Sequence, residues 1–181
     1  MSYYNSHGRS VSNCTATDEP LSAEGHRQVE HVAEKLAPVG IGANCKIYHS
    51  PLVRARHTAQ GLFPNGQHIE LDFLREESPW EIITCSNGLD KRIHQFQTWL
   101  LDVPTDIVVV VGHSRFFRRM VGMDRVLDNC SVALCTFETG RDYEQWTFKG
   151  VLYCADNSPD CDNLLDQPVR EAITNRIVNV E

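Results

Sequence analysis

Three side chains stand where short segments of the chain give way to polar ones. His7 follows the opening segment, Arg54 follows Lys46–His49, and His113 comes almost directly after the run Ile107–Val111. A neutral imidazole is a competent nucleophile near pH 7, because its unperturbed pKa is about 6.5. A guanidinium is a planar fork that can hold two oxygens of a phosphate at once. Glu76, with Glu77 and Glu81 as close rivals, offers a carboxyl for proton transfer. In that role its pKa would have to sit above the usual ~4.3. These residue types suit a phosphomonoester, whose transfer is mostly positioning and charge stabilisation.

The elements that must position them follow from local pattern. Ser22 can cap a helix over Ala23 to Ala37, with Glu24 in its first turn and Val29, Val32, Ala33 and Leu36 as its buried stripe. The PVGIG segment stops that helix. Lys46–His49 reads as a strand, with Pro51 in the first turn of a helix reaching about Leu62. A strand over His68–Phe73 and a helix marked by Leu89, Ile93, Phe96 and Leu100 come next. IVVVV (Ile107–Val111) has no polar face, as a central strand buried on both sides would require. Gly112-His113-Ser114 and a helix-like RFFRRMVG follow it. Val132–Phe137 and Trp146–Cys154 read as a hairpin, and Val169–Val178 as a last helix. Alternating strands and helices imply a mostly parallel sheet covered on both faces. Ligands bind such sheets beyond the carboxyl ends of the strands. His7, Arg54 and His113 should therefore gather at one edge.

Composition bounds the rest. The chain has 181 residues, 41% of them hydrophobic, which suits a single domain over 1–181. Its formal charge of -7 argues against non-specific nucleic-acid binding, and no apolar run approaches the ~20 residues of a membrane span. The seven cysteines are odd in number and show no CxxC spacing, and MSYYNSHGRS has no apolar signal region. Free thiols in a reducing cytosol, and hence a cytoplasmic location, are the expectation. No Cys/His pair has the tight spacing of a zinc site.

Four segments in order resemble the histidine phosphatase superfamily, the phosphoglycerate-mutase-like group. They are SHGRSVSN with Asp18-Glu19-Pro20-Leu21-Ser22, Gly25 and Gln28; Ser50-Pro51-Leu52-Val53-Arg54-Ala55 with Thr58-Ala59; Leu74-Arg75-Glu76 with Trp80-Glu81; and Val111-Gly112-His113-Ser114. The resemblance covers about residues 6 to 137. It implies an α/β three-layer sandwich with a mostly parallel central sheet flanked by helices, and hydrolysis of a small phosphomonoester through a phosphohistidine on His7. It further implies that Arg54 holds the phosphate, that a protonated His113 adds a second cation, and that Glu76 protonates the leaving oxygen and then activates water. Gly8, Arg9, Asn13 and Ser114 would line the substrate. No metal or other cofactor is needed in this scheme, and the partner is a phosphorylated small molecule or inorganic phosphate, with no nucleic acid or membrane.

One departure matters. The family places an arginine directly before the nucleophilic histidine, and this chain has Ser6. Removing a single electrostatic donor typically costs ~3–4 kcal/mol in the transition state. Activity weakened by Ser6, a swing of Arg9 into the vacant role, and a non-catalytic protein that binds a phosphorylated ligand or protein partner are all consistent with this. A mutase is a further alternative, although the chain has little room for the inserted segments that close a mutase pocket. Arg115, Arg118 and Arg119 read as a solvated helix face, one of which could meet an anionic substrate. Phe63–Gln67 and Glu77–Gly88 are the loops expected to set specificity.

Overall fold

Ser22 opens the first helix, α1 (Ala23–Leu36), by accepting the Gly25 amide on its side chain at 3.1 Å. Val29, Val32 and Leu36 form the buried stripe, joined by Gln28, and Gly40 in the left-handed region follows a 3-10 turn over Ala37–Val39. The computed structural model describes residues 18–40, 45–105, 107–124, 126–139 and 144–155. His7, Gly8, Arg9, Asn13, Ser6 and the tail helix expected over Val169–Val178 lie outside them.

The chain continues through β1 (Lys46–His49), α2 (Val53–Leu62), β2 (Gln67–Glu70), a 3-10 turn at Asp72–Leu74, α3 (Pro79–Ile83) and α4 (Gly88–Leu101). Then come β3 (Val109–Val111), α5 (Ser114–Val121) and the antiparallel pair β4 (Val132–Thr139) and β5 (Glu144–Tyr153). The first three strands form a parallel sheet in the order β2-β1-β3, with Ile47 opposite His68 and Val109.

The period of two along β1 separates the two halves of the core. Ile47 packs with Val32, Leu36, Ala59 and Phe63 on the α1–α2 side. Its neighbour Tyr48 turns to the opposite side, against Leu74 from the 3-10 turn and Leu89, Ile93, Phe96 and Phe116 from α4 and α5. Helices therefore cover both faces, which is the expected three-layer α/β arrangement. Phe96 gathers the second cluster, with Phe73, Trp99, Phe116 and Trp146 around its ring.

The differences from expectation have local causes. Leu52, not Pro51, is the N-cap of α2, so the proline stands just ahead of the helix in Ser-Pro backbone. β2 ends at Glu70, because Asp72–Leu74 turn to bury Leu74. The expected loop Glu77–Gly88 contains α3, started by Pro79 and a Ser78–Glu81 capping box. β3 is shorter than IVVVV and half-buried, with Ile107 exposed. Among the described residues β1 rather than β3 occupies the middle of the sheet. The expectation of seven free thiols is also corrected. Cys45, Cys85, Cys130 and Cys135 are not in disulfides, whereas Cys154 is disulfide-bonded. Among the described residues, no helix is long and apolar enough to cross a membrane.

Candidate active site

Parallel strands deliver the candidate residues to one edge. Ser50 follows β1, Glu76 follows β2 and its 3-10 turn, and His113 follows β3 by one glycine. The ladder continues past β1 through Ser50, whose amide donates to the Val111 carbonyl at 3.0 Å. Arg54 rises from the first turn of α2. The amide of Val53 in that turn donates to Asp18 Oδ1 at 2.6 Å, so an acidic side chain from far earlier in the chain satisfies a donor that Leu52 cannot cap. Asp18, Arg54, Arg75, Glu76 and His113 line one cleft.

Geometry brings Arg54, Glu76 and His113 together; His7, expected at the same edge, lies outside the described residues. Arg54 Nη2 donates to Glu76 Oε2 at 2.5 Å, and the same oxygen lies 3.6 Å from His113 Nδ1. On the far side of the imidazole, Nε2 shares a 2.8 Å hydrogen bond with Ser50 Oγ, which also accepts the Leu52 amide at 3.3 Å. Ser50 is fully buried and His113 nearly so. The ring is thus held edge-on by a residue that sequence reasoning did not single out. Its signal was the Ser-Pro pair closing a strand ahead of Arg54. Gly112 is required by packing, since a Cβ there would stand 3.0 Å from Phe117 Cζ.

One expectation changes. His113 is not a cation in the free site: burial, followed by the positive charges of Arg54 and Arg75, lowers its pKa to about 3. Desolvation penalises the imidazolium more than one carboxylate at 3.6 Å can repay. Arg54 therefore carries the positive charge at this corner, and it is already paired with Glu76.

The rival carboxylates are spoken for. Arg92 forms a two-pronged pair with Glu81 and holds its carboxyl down at about 2. Arg115 Nε lies 2.6 Å from Glu77 Oε2. Arg119 pairs with Asp90, and Arg118 donates to the Asp124 carbonyl, so the basic run after His113 is engaged rather than open to an anion. Ser114 begins α5 and its hydroxyl donates to the Leu127 carbonyl at 3.4 Å. Among the described residues, no cluster of three or more His, Cys, Asp or Glu side chains could hold a metal ion.

Comparison with known proteins shows what the chain is similar to. The model of the histidine phosphatase superfamily (branch 1) matches residues 4–81, a span that includes His7, Arg54 and Glu76. The fold is similar to that of several solved phosphatases. A mycobacterial glucosyl-3-phosphoglycerate phosphatase complexed with VO3 is 16% identical with a TM-score of 0.59, over 82% of this chain and 92% of that one. A phosphoserine phosphatase from Entamoeba histolytica, solved as a mutant in complex with phosphoserine, is 17% identical with a TM-score of 0.55, over 76% and 85%. A phosphoserine phosphatase from the same organism, in complex with 3-phosphoglyceric acid, is 18% identical with a TM-score of 0.54, over 80% and 92%. Among curated proteins, none matches this chain in sequence.

Proposed function

We propose that this histidine-phosphatase-like chain hydrolyses a small phosphomonoester through a phosphohistidine on His7. The observation that carries the reading is the convergence of Arg54, Glu76 and His113 at the carboxyl edge of the parallel sheet, with Glu76 Oε2 facing both other groups. The family match spans His7, Arg54 and Glu76, and the three solved structures of similar fold described above are phosphatases.

In the first step the phosphate dianion displaces Glu76 from Arg54 and takes its place on the guanidinium. The nucleophilic nitrogen of His7 attacks phosphorus, and the bond to the ester oxygen breaks. Glu76, released to the leaving-group side, takes up a proton from solvent once it has left Arg54 and gives that proton to the departing alkoxide. In the second step Glu76 takes a proton from water as the oxygen attacks phosphorus, and inorganic phosphate leaves with His7 restored. The dianion also supplies the negative charge that would favour a protonated His113, which the free pocket keeps neutral. Gly8, Arg9 and Asn13 complete the phosphate cradle in this reading, and Ser114 would border it. Ser6 leaves that cradle one cation short, so activity is low unless Arg9 fills the place. A phosphorylated small molecule is the substrate class.

The test is turnover of a generic aryl phosphate by the wild type, by His7→Ala and by Ser6→Arg. Turnover by the wild type that disappears in His7→Ala supports the reading, and Ser6→Arg should raise the rate by on the order of a hundredfold. If the wild type and His7→Ala are equally inert while both bind inorganic phosphate, the protein is a phosphate-binding relative and not a phosphatase.

A further inference from the structure

Arg92 plays no part in the chemistry above, yet it is built into the segment that carries Glu76. It stands on α4 with most of its side chain out of solvent. Nε donates to the Arg75 carbonyl at 3.1 Å and Nη2 to the Glu76 carbonyl at 3.4 Å. The other edge of the same guanidinium meets Glu81, Nη1 to Oε1 at 2.6 Å and Nη2 to Oε2 at 3.1 Å. Glu81 in turn closes the capping box of α3, accepting the Ser78 amide at 2.7 Å. One planar group therefore ties two consecutive backbone carbonyls to the helix that follows them.

The chain is shaped around this tie. A Cβ at Gly88 would collide with Glu81 Oε1, so the start of α4 stays bare where the carboxylate lies against it. Arg54 and His113 meet the carboxyl end of Glu76, whereas Arg92 fixes the backbone from which that side chain hangs. When substrate takes Arg54, the contact between Arg54 and Glu76 is lost and the backbone anchor remains.

We infer that Arg92 is a positioning residue that keeps the Glu76 carboxyl aimed at the leaving oxygen once phosphate has displaced it from Arg54. This inference rests on the proposed phosphatase reading, and it concerns one step of it, proton delivery to the departing group. Its signature is dependence on the leaving group. A p-nitrophenolate departs without a proton, whereas a simple alkoxide needs one. A merely structural loss would lower turnover of both esters alike.

The experiment compares kcat/KM for p-nitrophenyl phosphate and for a simple alkyl phosphate in the wild type, Arg92→Met, Arg92→Lys and Gly88→Ala. Arg92→Met should lose on the order of tenfold more on the alkyl ester than on the aryl ester, since a general acid typically contributes a hundredfold or more. Arg92→Lys, which keeps the charge but cannot span Glu81 and both carbonyls, should fall between. Gly88→Ala displaces the Glu81 carboxylate while leaving Arg92 in place, and should show the same skew; it decides the matter if Arg92→Met does not fold. Equal losses on the two esters, or none, in the folded variants overturn the positioning role and leave the phosphatase reading standing. A wild type inert on both esters overturns that reading, and the positioning role with it.

Discussion

His113 and Glu76 face each other across 3.6 Å, yet their surroundings have little in common. The His113 side chain is 5% exposed and Glu76 is 31% exposed. His113 follows a strand by one residue, and its ring is fixed by Ser50, itself placed by a backbone hydrogen bond to Val111. Glu76 lies in a connection between β2 and α3, and what holds it is a set of guanidinium contacts from Arg54 and Arg92. The sheet fixes the first position in place. Ion pairs leave the second free to respond to an incoming anion. The proposed mechanism, which needs one wall still and a proton donor that changes partners, would gain from that division.

The largest expected effect separates the two regions by pH. In the unfolded chain His113 titrates near 6.5, and in the folded protein near 3. Between those values the unfolded state binds a proton that the native state refuses, so stability falls as pH drops from about 6.5 toward about 3. Each tenfold loss of proton affinity is worth roughly 1.4 kcal/mol, so the decline amounts to several kcal/mol. Arg54, Arg75 and Glu76 are the charged groups facing the ring, and the two arginines oppose its protonation. Glu81 acts in a lower window. Its carboxyl is held near 2 against an ordinary 4.5, so its contribution is present above about 4.5 and is lost as pH falls toward about 2. Urea unfolding across this range should show His113→Asn flattening the upper part of the decline and Glu81→Gln the lower part. If His113→Asn leaves the slope between about pH 6.5 and 4.5 unchanged, the imidazole is not buried neutral.

The same contrast governs what could be read from sequence. The sheet-held wall was legible because a β-branched run followed by Gly-His, and a strand followed by Ser-Pro and an arginine, are local patterns tied to a topological rule. The helix at Ala23–Leu36 was legible to within a residue from Ser22 and the Val29, Val32, Leu36 spacing. Glu76 was named from the motif around it, but the local structure of its segment was not legible. Its helix α3 has five residues, too few for a periodic signal, and its order comes from Arg92, whose partner Glu81 lies 11 positions earlier. The neutrality of His113 was hidden for a related reason, since burial and the charges of Arg54 and Arg75 are properties of the assembled site. The role of Ser50 needed the third dimension too, because its partner is 63 residues away.

A smaller effect would test how firmly the still wall depends on Ser50. Its buried hydroxyl serves both His113 Nε2 and the Leu52 amide. Ser50→Ala removes both contacts without making room for much water, and leaving buried polar groups unsatisfied costs about 1–3 kcal/mol. Chemical unfolding should register that loss, and the freed imidazole should lower turnover as well. Unchanged stability would mean that the ladder from Ser50 to Val111 holds this corner by itself, which would sharpen the contrast with Glu76.

The smallest effect lies in the ion-paired region and should stay there. Ser78→Ala removes the Oγ that accepts the Glu81 amide at 3.2 Å, one half of the capping box. N-cap losses of this kind cost about 1 kcal/mol. The other half, from the Ser78 amide to Glu81 Oε2, survives the substitution, as does the pair with Arg92. No residue of α3 is buried, so little of the core senses the change. The loss should therefore appear as faster hydrogen exchange at the α3 amides, with the global unfolding midpoint nearly unmoved. A global shift as large as that of Ser50→Ala would show the two regions to be one cooperative unit, and the comparison between them would fail. Exchange confined to α3 would locate the adjustable part of the site in the contacts that Glu81 and Arg92 make.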